Sequence, residues 1–134
     1  MTETDAKQQY QTAKEISSDE LAHKISEIAL TKKAEDVNIL NLKDLTSITD
    51  YFVIASGASD TQVKAIVDAI TNELEPEIKP WHREGYDNLR WVLLDFVDVV
   101  VHVFQRQVRS FYDLERLWAD AEVESVTDED SESE

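Results

Sequence analysis

The sequence predicts an α/β domain built on one mixed sheet of about five strands flanked by helices. Three observations carry that expectation. Apolar residues recur at helical spacing in two stretches, each opened by a Ser with a Glu or Gln three residues on. The run Tyr51-Phe52-Val53-Ile54-Ala55 is almost continuously apolar and made of β-formers, as in a central strand covered on both faces. Two further β-rich runs, Arg90–Leu94 and Val99–Phe104, stand four residues apart.

The elements follow in order. Residues 1–16 are polar and have no core-facing stripe, so a flexible N-terminal tail is expected. The folded domain is expected over residues 17–119. Ser17 and Glu20 form a capping box, and Leu21, Ile25, Ile28 and Ala29 define one buried helix face. Lys32 and Lys33 suit the negative end of that helix. Val37 to Leu42 reads as a strand, and Tyr51 to Ala55 as the central one. Ser56-Gly57-Ala58-Ser59 turns the chain into a second helix, capped by Ser59 and Gln62 and carrying Val63, Ile66, Val67, Ile70 and Leu74. Pro76 closes it.

Lys79 to Arg83 is a candidate short strand, and Glu84 to Asn88 a loop. Asp95-Phe96-Val97-Asp98 connects the last two strands as a tight hairpin without the usual glycine. A final helix is expected over residues 107–119, with Val108, Phe111, Leu114, Leu117 and Trp118 as its apolar set. Residues 120–134 hold eight acids and no base, and are expected to be a disordered acidic tail. Strand–helix–strand order implies a parallel crossover, and the hairpin adds antiparallel pairing.

Composition narrows the function. There is no cysteine, which excludes disulfides and cysteine-based zinc sites and suits a reducing compartment. The amino terminus lacks a basic, then apolar, leader, and no apolar run approaches the roughly 18 residues of a membrane helix. The expectation is a soluble, cytoplasmic protein without a membrane partner. Net charge is −16. Residues 17–119 alone hold 18 acids against 11 bases, so little direct nucleic-acid binding is expected and a basic protein partner is more natural.

Several chemistries can be set against the residues. Ser56-Gly57-Ala58-Ser59 opens a helix, but one glycine and no lysine make neither a P-loop nor a dinucleotide fingerprint. Nucleotidyl transfer needs strand-borne carboxylates that converge on magnesium. Asp95 and Asp98 lie three apart across a turn and read as turn residues. Ser56, His102 and Asp95 make a triad on paper only, without a nucleophile elbow. His23, His82 and His102 are too scattered for a zinc site. No catalytic, cofactor or metal site is expected. A nucleotidyltransferase-like enzyme or nucleotide-binding protein is kept as the alternative.

Trp91 stands apart. It shares one strand face with Leu93 and Asp95, while Val92 and Leu94 share the other. Tryptophan is a favoured interface anchor, so the unit from Trp91 to Phe104 is expected to dock onto another macromolecule. His102 suits a core or a contact face.

Three stretches then resemble the ribosomal silencing factor, or Iojap-related, family. The first is Ser47-Ile48-Thr49-Asp50-Tyr51-Phe52-Val53-Ile54-Ala55-Ser56-Gly57 with Ser59 and Gln62. The second is Glu84-Gly85, Trp91-Val92-Leu93-Leu94-Asp95-Phe96 and Asp98-Val99-Val100-Val101-His102-Val103-Phe104. The third is Arg109, Phe111-Tyr112, Leu114-Glu115 and Leu117-Trp118. The resemblance implies a nucleotidyltransferase-like fold without the catalytic acids. It implies a protein, not an enzyme, that binds the large ribosomal subunit through its fourteenth ribosomal protein, blocks joining of the small subunit, and pairs as a homodimer when free. The family's interface tryptophan falls on Trp91. Leu93, Asp95, His102, Phe104, Arg109 and Tyr112 are the further expected partner contacts. Val97 stands where the family usually has glycine, so a differently shaped turn is expected there.

Overall fold

The computed structural model describes residues 16–128. A helix α1 (Ser18–Thr31) leads into β1 (Glu35–Asn41) and β2 (Tyr51–Gly57). Helix α2 (Asp60–Leu74) follows, then β3 (His82–Glu84), β4 (Trp91–Asp95) and β5 (Val99–Gln105). Two short helices, α3 (Arg106–Tyr112) and α4 (Leu114–Leu117), precede β6 (Glu122–Val126). The six strands form one sheet in the order β3-β4-β5-β2-β1-β6. The β2–β5 pair is parallel, and the other pairs are antiparallel.

Alternation along the strands sorts the core into two layers. On one face Ile39, Val53, Ala55, Leu94, Val101 and Val103 meet Leu21, Ile25, Ile66, Val67 and Ile70 of α1 and α2. This is the main core. It is built from the two helices and the continuous apolar strand that the sequence patterning marked out. Both helix starts hold as capped ends. The Ser17 side chain accepts from the Glu20 N–H at 3.0 Å, and Glu20 returns the bond to the Ser17 N–H. Ser59 likewise accepts from the Gln62 N–H. Gln62 itself departs from the box. Its Oε1 accepts from the Ala58 N–H, and its Nε2 donates to the carbonyls of Lys32 and Lys33, tying α2 to the end of α1.

The opposite face carries Leu40, Phe52, Ile54, Val100, His102 and Phe104, with Trp91, Leu93 and Asp95 from β4. The helices α3 and α4 cover part of it through Val108 and Leu114, and the turn that follows them adds Trp118 and Ala121. The β4 end of this face is left half-open.

Three expectations are corrected. The single helix over residues 107–119 is broken at Asp113, which takes φ +50 and donates its N–H to the Arg109 carbonyl. Asp tolerates that left-handed state, so helical spacing alone did not mark the break. The acidic tail contributes a sixth strand at Glu122–Val126, where Val37 to Asn41 supply an unpaired edge. Backbone pairing and a side chain from α1 outweigh like-charge repulsion there. His23 Nε2 lies 2.9 Å from Glu124. The short strand sits at His82–Glu84, beside Leu93 to Asp95, not at residues 79–83. The turn at Val97 has positive φ (+76) despite its β-branched side chain. The Asp98 N–H closes it on the Phe96 carbonyl. The expected tails at residues 1–15 and 129–134 lie outside the described residues.

Candidate functional site

The half-open face is organised around Trp91. Gly85 places it: φ is +83, and a Cβ there would stand 2.0 Å from the Trp91 carbonyl, so only glycine lets the loop pass. Pairing sets Trp91 opposite Phe104 and Leu93 opposite His102. The indole stacks on Phe104 at 4.8 Å between centroids, and its Nε1–H donates to His102 Nδ1 at 3.0 Å. Tyr112 closes the other side at 4.8 Å, and Phe111 stands edge-on to Tyr112.

The hydrogen bond settles the histidine's tautomer. Indole N–H is donor only, so Nδ1 accepts and the neutral ring carries its proton on Nε2. Burial pushes the His102 pKa down to about 4, so the ring is neutral at physiological pH.

The seven expected contact residues divide. Trp91, Leu93 and Asp95 are half-buried along β4, and Tyr112 is exposed on α3. These four present surface. Phe104 is fully buried and His102 nearly so, which places them behind Trp91 as its support. Arg109 is an internal strut. One guanidinium nitrogen donates to the Asp36 carbonyl at 2.6 Å and to Ser56 Oγ at 2.8 Å, and the other pairs with Glu115. Glu115 feels burial raising its pKa and Arg109 lowering it, and the net shift is downward. Asp95 is partly committed too, because its Oδ1 accepts from the Val97 N–H at 2.8 Å.

The break at Asp113 brings two further residues outward. Phe111 is 80% exposed and Leu117 73%, although helical spacing assigns both to the core. A groove of about 650 Å³ runs between the Gly85–Trp91 segment and α3, floored by Trp91 and Val108 and walled by Arg90, Phe111 and Tyr112. An exposed aromatic rim around a held tryptophan is an arrangement that suits protein docking. No group of three or more His, Cys, Asp or Glu is placed to hold a metal among the described residues.

Comparison with known proteins places this geometry. A family profile described as "Ribosomal silencing factor during starvation" matches residues 15–134. The chain belongs to the ribosomal silencing factor family. A ribosomal silencing factor of Bacillus subtilis is 46% identical over 91 residues, spanning 67% of this chain and 77% of that protein. The chloroplast protein Iojap of maize is 36% identical over 101 residues, covering 75% of this chain and 42% of its own length. A Chromobacterium violaceum protein of known crystal structure superposes with a TM-score of 0.74 at 35% identity, covering 77% of this chain and 87% of that one. The mixed α/β fold is therefore shared with this solved structure, and the resemblance in the three motif stretches is shown to be family membership.

Proposed function

We propose that this silencing factor binds the large ribosomal subunit through its fourteenth ribosomal protein, on the face that meets the small subunit, and lowers translation by obstructing subunit joining. The observation that carries the reading is the held tryptophan. Trp91 is fixed by stacking and a hydrogen bond before any partner arrives, and it is rimmed by Tyr112 and Phe111. A rigid aromatic anchor loses little entropy on docking, which favours binding over turnover. The acidic charge of −16 supports a basic protein as the direct contact and disfavours broad contact with RNA. Kinship adds to this. A mouse relative, 32% identical over 91 residues, is named for mitochondrial assembly of the large ribosomal subunit. The mechanism is steric and needs no cofactor. When no subunit is present, the same apolar face pairs two copies of the chain.

Co-sedimentation with purified large subunits tests the reading. The wild type pellets with large subunits and not with small ones, and it slows subunit joining. Trp91→Ala lowers the affinity by about 2 kcal/mol or more with the fold retained. Equal binding to both subunits, or to neither, would end the proposal. Sedimentation velocity of wild type and Trp91→Ala tests the self-pairing.

A further inference from the structure

A second groove lies on the same sheet face, beyond His102 from Trp91. It encloses about 250 Å³ between β4, β5 and the loop after β1. Its walls are mainly apolar, with Phe52, Leu93, Val100 and Trp118, and Ile48 stands at its mouth 82% exposed. Among the described residues, two buried side-chain atoms lack a hydrogen-bond partner: Thr49 Oγ1 and His102 Nε2. Both residues line this groove. A buried polar atom without a partner is costly, and native structures hold few of them. Two in one small apolar groove mark a place where a partner supplies the missing bonds.

Their chemistry defines that partner. Because Nδ1 accepts from Trp91, Nε2 carries a hydrogen and needs an acceptor. A backbone carbonyl supplies one without bringing a charge into an apolar site. The Thr49 hydroxyl accepts as well as donates, so it suits the N–H of the same backbone. The rim is acidic. Asp95 lines the groove, and exposed Asp44 and Asp98 lie on the flanking turns. Lys43 does not offset them, since its Nζ sits over the ring of Tyr51, in the helix-side core layer.

We propose that this groove receives an apolar side chain from an extended, basic segment of the docked ribosomal protein, with His102 Nε2–H donating to that segment's carbonyl and Thr49 accepting its N–H. The proposal rests on the large-subunit reading above and deepens it. Trp91 is then one of two anchor points, and His102 links them by bonding to the indole on one side and the partner on the other.

The test measures binding of wild type and three variants to purified bacterial large subunits. Asn places an oxygen near the Nδ1 position, so His102→Asn keeps an acceptor for Trp91 and removes the Nε2 donor. Thr49→Val removes the hydroxyl at constant shape. Val100→Phe fills the groove from a strand position that favours aromatic residues. Thermal melts confirm that each is folded. The expected result is a loss of at least tenfold in affinity for His102→Asn and Val100→Phe, and a smaller loss for Thr49→Val. If wild type binds and folded Val100→Phe and Thr49→Val bind equally well, the groove assignment is overturned and the large-subunit reading stands. If wild type does not bind, both fall. Protein-free ribosomal RNA from the same subunits is the second probe, and groove-dependent binding to it would overturn the assignment to a protein segment.

Discussion

At the scale of single residues, His102 ties the stability of the fold to pH through its burial. Its pKa falls to about 4 through burial, below the roughly 6.5 of an unfolded histidine. The unfolded chain therefore binds the extra proton. The stability this implies is fully present above pH 6.5 and is lost as pH falls toward 4. Between pH 7 and 4.5 the loss is about 2 kcal/mol. Denaturant midpoints at the two pH values measure it, and His102→Asn shows a correspondingly smaller difference. Trp91 fluorescence of the folded protein should shift only as pH falls through about 4, because a protonated ring cannot accept the indole N–H. Val97 is a second informative residue. A β-branched side chain at φ +76 is strained by about 1–2 kcal/mol, and glycine relieves that at some entropic cost in the unfolded chain. Val97→Gly is expected to stabilise by up to about 1 kcal/mol in a thermal melt.

Among the elements, the pair α3 and α4 decides what the sheet face presents. Arg109 fastens α3 to the carbonyl of Asp36 and the hydroxyl of Ser56, and reaches across the Asp113 break to Glu115. It thereby sets the angle at which Tyr112 and Phe111 stand beside Trp91. Arg109→Ala leaves Glu115 without its cation and the break unsupported. A stability loss of about 3 kcal/mol in chemical denaturation is expected. Subunit binding should fall as well, because Tyr112 and Phe111 lose their set angle beside Trp91. Arg109→Lys restores the charge but not the fork of contacts, so it rescues neither property fully.

For the molecule as a whole, one sheet serves two tasks. One face is sealed by α1 and α2 and holds the fold. The other is half-covered and holds the proposed docking surface. The edge beyond β1 is closed by β6 from the acidic C-terminal region. His23 of α1 helps to pin it; its pKa is raised first by the Asp19 carbonyl, against a lowering from partial burial, and then by Glu124. Truncation before Glu122 exposes the β1 edge. It should lower stability by about 1 kcal/mol, or roughly 5 °C in a melt, and promote association at high concentration. Subunit binding by the folded monomer should survive, since β6 lies at the opposite edge of the sheet from β4.

The amino-acid sequence by itself determined the main core and the family. Helical spacing in α1 and α2, their Ser caps and the apolar run of β2 act between near neighbours in the chain, so each is legible without tertiary context. Alternation also set Trp91, Leu93 and Asp95 on one face, and that face is the half-open one. The tertiary structure decided the rest. Phe111 and Leu117 fit a helical stripe, yet the helix breaks at a left-handed Asp113 and both stand outward, with Arg109 anchoring the first short helix to the sheet. Five residues of an acidic tail became a strand because β1, far away in sequence, left its edge open. His102, legible as either core or contact, became the core support of Trp91 and a lining residue of a second groove. That outcome depends on three strands and a loop meeting in space, which no local pattern encodes.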